Sequence, residues 1–587
     1  MKLALVYPPF FAKAFNENLA TVDDEFGLFP HIGFGWVARG AQAAGWHVRL
    51  WDAPATKKSL DTVTKEVEAY GPDLIGFSSH AAQTIQDMLP WAKAIRARTG
   101  IPTVTGGYEA KVYVDELMSH GCFDFLCGGE GHEFLPEFLP AFERGGGYER
   151  VADLAYRSGG QTRITFPGKR PLFSEFPTPD RSIFDNSLYY SHISQRKHFT
   201  IGMSEVGCPY PCTFCCMRQS GYQARTPEQV LTEIEECIAL GIREIDWFDP
   251  LMLHDRERAM AIAKEIKRRK LDVIWSCRSR VDSLSNHSTK RGPDEEFIQT
   301  LAEGGCRRIY FGVEAGDDDV LKGMMKGQST TAELRKTLEC VQAAGIMSLG
   351  FFILGAPGDT KETVRKTVDF SVSLPLAYAQ YQIAIIKPHT ELERKYVVDA
   401  LGIDYWREYV KGAVSEHLLP TPWTELPRAA LEDEARRAYF KFYARPRYAL
   451  SMLRRIESFE ELARYMRVGV QLALRPLRPK TQVSTLKRYG RAALAFVEAA
   501  LTVANPGARH AVFKNGGGLA GALSLARGEL RRPGPEPTLS TERVAELGIA
   551  PPPADAQIEN KYVPFFDKLT QSGLLPLKSK PTAAKVA

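Results

Sequence analysis

From Phe199 to about Pro388 the chain alternates short apolar runs of strand length with amphipathic runs of helix length. The strand-like runs are Thr200 to Glu205, Glu244 to Phe248, Val273 to Cys277, Arg308 to Val313, Ser348 to Leu354 and Gln380 to Ile386. Helical periodicity fills the gaps: Pro227 to Leu240, Arg256 to Arg269, Asp294 to Glu303, Ala332 to Ala344 and Lys361 to Ser373. Parallel neighbours in a sheet need a long crossover, which a helix supplies. The series therefore predicts a partial parallel (β/α)6 barrel over 199–388, with active groups at the strand carboxyl ends.

A second alternation occupies residues 1–145, with strands expected at Leu3 to Tyr7, Val48 to Trp51, Leu74 to Ser78, Thr103 to Thr105 and Phe123 to Cys127. This is the pattern of a doubly wound α/β domain. Ser78 ends one of its strands, and Gly106-Gly107 and Gly128-Gly129-Glu130-Gly131 each follow another. Open α/β folds bind ligands at that carboxyl edge, although glycines there also serve simply as tight turns. Residues 146–198 are rich in Gly, Pro and Ser and read as a linker with some ordered structure, short strands at best. The strand pattern is lost after 388: 389–530 reads as a helical C-terminal region and 531–587 as a flexible, Pro-rich tail.

At 587 residues there is chain for three or four such units, at about 150 residues each. The 44% hydrophobic and 25% charged fractions are those of an ordinary folded chain, which argues against collagenous or globally disordered classes. Net charge is 75 − 70 = +5 with histidine neutral, too small at this size to call for a nucleic-acid partner. The first residues lack the apolar core of a signal peptide. The most apolar later run, Ala492 to Ala504, is thirteen residues with Glu498 inside it, short of the ~20 that cross a bilayer. A cytoplasmic protein is expected. One exception to the even charge balance is Arg445 to Val497, where twelve basic residues face three acidic ones, a composition suited either to a solvated face or to peripheral contact with an anionic membrane.

The densest chemistry lies just after the first barrel strand, in Gly207-Cys208-Pro209-Tyr210-Pro211-Cys212-Thr213-Phe214-Cys215. Three thiolates on one loop leave one iron of a four-iron cluster open to another ligand. Structural zinc would ask for a fourth Cys or His at regular spacing. Cys216, adjacent to Cys215, reads as a packing or supporting residue, and the six dispersed cysteines read as small buried hydrophobes.

The C-x3-C-x2-C spacing of Cys208, Cys212 and Cys215, with Phe214 before the last cysteine, resembles the radical S-adenosylmethionine enzymes. The resemblance implies that the three thiolates hold a [4Fe-4S] cluster whose open iron is chelated by S-adenosylmethionine, reductive cleavage giving a 5′-deoxyadenosyl radical. It also points to Phe214, to Asp249 in Trp247-Phe248-Asp249-Pro250, to Arg280 after the third strand and to Glu314 in Gly312-Val313-Glu314 as contacts of that cofactor. Gly350 and Gly355, in Gly350-Phe351-Phe352-Ile353-Leu354-Gly355, match the family's fifth-strand pattern, where backbone approaches adenine. An ion pair in the barrel mouth would also explain Arg280 and Glu314, and helix capping would explain Asp249.

With an α/β unit ahead of such a barrel, the chain resembles the family's cobalamin-binding, methylase-rich class over residues 1 to about 390. That resemblance implies a third cofactor, cobalamin, with Ser78, Gly106, Gly107, Gly129, Glu130 and Gly131 as its contacts. The Asp-x-His-x-x-Gly signature of histidine-ligated cobalamin proteins is absent, since His80 in Ser78-Ser79-His80-Ala81-Ala82 lacks its neighbours. The class implies methyl transfer to an unactivated carbon: one S-adenosylmethionine supplies the methyl through cobalt and a second supplies the radical. It further implies an external electron donor such as flavodoxin or ferredoxin. The substrate expected is a small, lipid-like or tetrapyrrole metabolite, the last two suggested by the aromatic and basic stretch Arg436 to Tyr448. The rival expectation is an oxidative cyclase or ring-forming enzyme that uses the same cofactors without methyl transfer.

Overall fold

The computed structural model describes residues 1–10, 27–445 and 448, apart from 192, 197, 286–291, 328–329 and 415–422. The expected Ala492 run, most of the basic stretch after Arg445 and the tail from 531 lie outside the described residues.

The N-terminal domain is built on β1 (Lys2–Tyr7), β2 (His47–Asp52), β3 (Leu74–Ser78), β4 (Thr103–Gly106) and β5 (Phe125–Cys127), all parallel. Helices α1 (Gly33–Ala43), α2 (Leu60–Tyr70), α3 (Ala82–Thr99), α4 (Val114–Ser119) and α5 (Gly131–Glu143) supply the crossovers. Strand order is β2-β1-β3-β4-β5, so the direction of winding reverses between β1 and β3. Strands buried on both faces read as continuous apolar runs; Leu3, Ala4, Leu5 and Val6 are all 2% exposed or less. Gly76 lets Leu5 of the neighbouring strand lie against its backbone, since a Cβ there would come within 2.9 Å of Leu5 Cδ2.

The segment expected to be a linker does more than connect. Its hairpin β6 (Leu154–Ser158) and β7 (Gln161–Ile164) adds two antiparallel strands to the edge of this sheet, Leu126 pairing with Ala155. Alternating Tyr, Arg and Thr positions gave only a weak strand signal, and pairing to the β5 edge decided the outcome.

The second sheet runs β8 (Phe199–Gly202), β9 (Glu244–Trp247), β10 (Ile274–Ser279), β11 (Cys306–Glu314), β12 (Met347–Leu354) and β13 (Tyr378–Ile383). All six are parallel and neighbour each other in chain order, as a partial barrel requires. Its crossover helices begin at capped positions. Thr226 and Gln229 form a capping box ahead of α6 (Pro227–Ala239), and Asp255 accepts from the Arg258 amide ahead of α7 (Arg256–Arg269). The helix cap is therefore Asp255 and not Asp249.

The helices beyond residue 388 pack on both domains within one unit ending at Phe442. From α8 (Tyr405–Lys411), Arg407 Nη1 pairs with both oxygens of Glu116, 2.8 Å to each. From α9 (Arg428–Tyr443), Leu431 covers Gly355 and Tyr439 Oη accepts from the Tyr381 amide at 3.1 Å. Among the described residues no helix is long and apolar enough to cross a membrane.

Candidate functional site at the facing sheet edges

The loop carrying the three cysteines leaves the barrel as Glu205–Val206 and returns as Gln223–Ala224, the two segments pairing antiparallel. Gly207 starts the excursion with φ +80°, and a Cβ there would lie 1.6 Å from the Gly221 carbonyl oxygen. Only glycine fits so close an approach at positive φ. Inside the loop, the Cys215 amide donates to the Cys212 carbonyl at 3.2 Å and the Ser220 amide to the Cys208 carbonyl at 3.1 Å. The Thr213 amide donates to Met324 beyond β11, and the Thr213 carbonyl accepts from Leu392 beyond β13, each at 3.2 Å. The loop is thus pinned to the carboxyl ends of two further strands.

Cys212 is buried, while Cys208 and Cys215 are half-buried. Burial raises the Cys208 thiol, with Cys212 adding to the effect. Cys216 is exposed, so it is not a packing residue. It shares a proton with Cys215: the hydrogen bond between them pushes Cys216 down to about 6, and Cys215 well up, with Lys387 and His389 also favouring the Cys216 thiolate. Among the described residues no three His, Cys, Asp or Glu side chains converge on a single ion position. A cube of four irons instead takes its thiolates at separate corners, and three unpaired cysteines on one pinned loop suit it.

Asp249 is fully buried and serves this loop. It accepts from the Ser204 amide at 2.6 Å, from the Glu205 amide at 3.2 Å and from the Ser204 hydroxyl. Its oxygens are thereby committed to the segment leading into Cys208, a positioning role. Arg280 forks onto Asp282 at 2.8 and 2.9 Å, lies 4.1 Å over the Tyr210 ring, and reaches within 3.7 Å of Cys212 Sγ. Glu314 ends β11 at φ +66°, a strained conformation for a glutamate, and pairs with Lys326. Such strain concentrates at functional sites. The ion pairs foreseen for Arg280 and Glu314 are thus present, each with its own partner.

At the other expected contacts the backbone is packed closely by neighbouring residues. A Cβ at Gly350 would meet Leu376 at 2.8 Å, and Gly355, at φ +77°, faces Leu431 while its carbonyl accepts from Trp423 Nε1 at 2.9 Å. Phe214 is half-buried in the loop. On the N-terminal sheet, a Cβ at Gly107 would meet Ser79 at 3.1 Å, one at Gly106 would meet Cys127 at 3.3 Å, one at Gly129 would meet Asp153 at 2.6 Å, and one at Gly131 would meet Val37 at 2.9 Å. These glycines are required by close packing of the loops. Glu130 precedes α5, its carboxyl raised by burial.

Ser78 points elsewhere: its Oγ lies 3.2 Å from His31 Nε2. His31 and His80 stand edge to face, ring centres 4.5 Å apart, with Tyr7 and Phe10 packed against His80. Burial drives both imidazoles neutral, His80 down to about 4 despite the Ser78 carbonyl nearby. The Ser78 backbone hydrogen-bonds the buried His80 ring. Ser78, His31 and His80 thus stand together at the carboxyl edge where open α/β folds bind a ligand.

The two carboxyl edges face each other. Phe29, in the loop after β1, packs on Phe248 after β9 with ring centres 5.5 Å apart. Glu109, after β4, accepts from His389 Nε2, after β13, at 2.9 Å. Tyr113 stacks near the same imidazole, which also lowers the neighbouring Cys216 thiol. Neither Glu109 nor His389 carried a sequence signal beyond following a strand; 280 residues separate them.

Comparison with known proteins agrees with this geometry. Residues 206–371 match the Radical SAM superfamily and residues 23–139 match the B12 binding domain. The chain is a radical SAM enzyme with a cobalamin-binding domain. Its cofactors are S-adenosylmethionine, a [4Fe-4S] cluster and cobalamin. It is 27% identical over 464 residues to an uncharacterized methyltransferase of Pyrococcus horikoshii, covering 76% of this chain and 93% of that protein. It is 25% identical over 355 residues to the anaerobic magnesium-protoporphyrin IX monomethyl ester cyclase of Rubrivivax gelatinosus, covering 58% and 61%. Its fold is that of the radical S-adenosylmethionine methyltransferase TsrM from Kitasatospora setae (TM-score 0.54, 19% identity, 68% of this chain and 78% of that one). It is also that of the cobalamin-dependent radical enzyme OxsB (TM-score 0.58, 16% identity, 80% and 71%). This radical SAM enzyme is related to methyltransferases and to oxidative cyclases alike.

Proposed function

We propose that this protein is a C-methyltransferase acting on an unactivated carbon of a small, lipid-like or tetrapyrrole metabolite, with electrons from a flavodoxin or ferredoxin. The observation that carries the reading is the apposition of the two sheet edges through Phe29–Phe248 and Glu109–His389. A substrate between them meets the cluster loop on one side and the cobalamin domain on the other. Together the cofactors supply hydrogen abstraction by a carbon radical and a transferable methyl group, chemistry that side-chain acids and bases lack.

The chain's own part is positioning. Cys208, Cys212 and Cys215 would hold the cluster on a loop fixed by Asp249, Thr213 and Arg280. Glu314, Ser279, whose buried Oγ is unpaired among the described residues, and backbone at the β12 end would hold S-adenosylmethionine. Ser78, His80 and the loops at Gly106–Gly107 and Gly129–Gly131 would hold cobalamin. The Phe29–Phe248 contact between the edges would help to keep water from a substrate held there.

The cyclase relative favours a second reading, oxidative ring formation with the same cofactors. Anaerobic turnover of reconstituted protein with methyl-labelled S-adenosylmethionine and cell extract separates the two. Label in a new product, with both S-adenosylhomocysteine and 5′-deoxyadenosine formed, is the expected result. Deoxyadenosine alone, with an altered but unlabelled product, overturns methyl transfer in favour of cyclisation.

A further inference from the structure

The concave wall of the second sheet holds a guanidinium with two of its donors unused. Arg278 lies on β10 directly beside Tyr310 of β11, and Phe248 follows β9 on its other side. Successive residues of a strand point to opposite faces. Tyr381, paired with Phe352, bonds Ser371 of the crossover helix Lys361–Ser373, so residues of that parity face the helices. Arg278, Tyr310, Phe351 and Ile353 have the other parity and line the barrel interior. That interior is open: Phe351 and Ile353 are half-buried where Phe352 and Leu354 are buried, and the Arg278 side chain is 24% exposed.

Neighbouring groups hold this guanidinium in place. Nη1 and Nη2 donate to the two oxygens of Asp246 at 2.9 and 3.2 Å, and Nη1 donates again to the Trp247 carbonyl at 3.0 Å. Its central carbon lies 3.7 Å from the centre of the Phe248 ring and 4.6 Å from that of Tyr310. A guanidinium has five N–H donors. The two left over, Nε–H and the second hydrogen of Nη2, have no acceptor among the described residues. Together they form the side-on fork that grips a carboxylate through two parallel hydrogen bonds, and a fork already fixed loses little freedom on binding.

The surroundings narrow the ligand. Asp246 also accepts from Ser276 Oγ at 2.9 Å, so its charge is shared between two donors and leaves Arg278 some pull on a second anion. The next cations on the wall, Arg280 and Arg308, are each paired with a carboxylate of their own, Asp282 and Glu244. With so little net positive charge, a planar monoanion suits the fork better than a phosphate dianion. Apolar surface adjoins it, since Phe351 stacks on Tyr310 at 13°. Phe248 also meets Phe29 of the facing edge, which sets the fork beside the chamber between the two sheets.

We propose that Arg278 binds a carboxylate of the substrate through Nε and Nη2, and so selects an acid with an apolar body. This rests on the reading that substrate sits between the two sheet edges, and names the group by which it is recognised there. The other carboxylate at hand is that of S-adenosylmethionine. Arg280, within 3.7 Å of Cys212 Sγ, is the cation at the cysteine loop, whereas Arg278 lies two residues deeper on the same strand face, about 7 Å.

The test uses full-length protein reconstituted with its cofactors under anaerobic conditions. It follows the 5′-deoxyadenosine formed above the extract-free background, a rise shared by methyl transfer and cyclisation. The probe is deproteinised cell extract in three forms: untreated, methyl-esterified with trimethylsilyldiazomethane, and esterified then saponified. Untreated and saponified extracts should produce the rise and esterified extract should not. Arg278→Gln should need about tenfold more untreated extract for the half-maximal rise, while its dissociation constant for S-adenosylmethionine, from equilibrium dialysis, stays near that of wild type. Arg278→Lys should recover only part of the loss, because an ammonium cannot form the planar fork. A rise left intact by esterification, or an extract dependence in Arg278→Gln equal to wild type, overturns the assignment. Weakened S-adenosylmethionine binding with unchanged extract dependence gives the carboxylate to that cofactor and overturns it too. The esterification arm can refute it even where Arg278→Gln fails to fold. A rise lost on esterification, with no methyl label in any product, supports the assignment while refuting methyl transfer. No rise from any extract overturns the placement of a metabolite in the chamber, and the proposal with it.

Discussion

Glu233 sits on α6 and is fully buried, as are the two guanidiniums it pairs with, Arg181 of the connecting segment and Arg225 at the return of the cysteine loop. Arg258 extends the network, donating to the Arg225 carbonyl at 2.7 Å and to the Ser204 carbonyl at 2.9 Å. Replacement Glu233→Ala removes one buried anion and strands two buried cations. At an effective dielectric near 20, each contact is worth about 4 kcal/mol. Relief of the carboxylate's own burial penalty, several kcal/mol, offsets part of that. The net loss is about 3–5 kcal/mol, enough to lower the first unfolding temperature by on the order of 10 °C. Arg181 Nε and Nη1 and Arg225 Nε have no partner among the described residues, and the Ile201 and Gln229 carbonyls that the two guanidiniums also reach are neutral acceptors that do not replace the lost charge. Urea titration of anaerobically purified protein, followed by tryptophan fluorescence, measures it. The triple change Arg181→Met, Arg225→Met, Glu233→Met should recover most of the stability, because apolar replacements of similar volume carry no desolvation cost. A Glu233→Ala midpoint corresponding to under 1 kcal/mol would refute the claim that these charges act as one desolvated unit.

Three shorter predictions concern the same region. Gly207→Ala forces a Cβ onto the Gly221 carbonyl at φ +80°, and should abolish the cluster's visible absorbance on reconstitution while far-ultraviolet circular dichroism stays near wild type. Cys216→Ala should reconstitute a normal cluster where Cys208→Ala, Cys212→Ala and Cys215→Ala do not; in cluster-free protein near pH 7, Cys216 should be the first thiol alkylated, since its thiolate is favoured. Burial pushes Glu393 up to about 7, so the folded state holds that proton more tightly than the unfolded chain. The stability it contributes is therefore complete below about pH 4 and lost as pH rises toward 7, up to about 3 kcal/mol in all. Glu393→Gln should flatten that slope in chemical denaturation run from pH 5 to 8, and an unchanged slope would contradict the assignment.

Local signals gave the sequence reading its reach. Period and composition located all six barrel strands within a few residues, because a strand buried on both faces must be apolar throughout and its crossover must be helical. The spacing of Cys208, Cys212 and Cys215 was legible for the same reason: ligands on a single loop are set by sequence distance. The hairpin Leu154–Ile164 was legible only as short strands without position or partner, because half-polar strands owe their pairing to the edge they meet. The hydrogen bonds of Asp249 to the Ser204 and Glu205 amides were not legible because those partners lie 45 and 44 residues away.

By itself, then, the amino-acid sequence determined two parallel α/β domains in series and a three-thiolate loop at a strand end, since each depends on residues within one element or turn. Tertiary structure alone decided which side chains complete the site. Glu109 meets His389 across 280 residues, and Arg181 meets Glu233 across 52. Whether a buried charge or imidazole is satisfied depends on how separate elements pack, and a linear spacing does not contain that information.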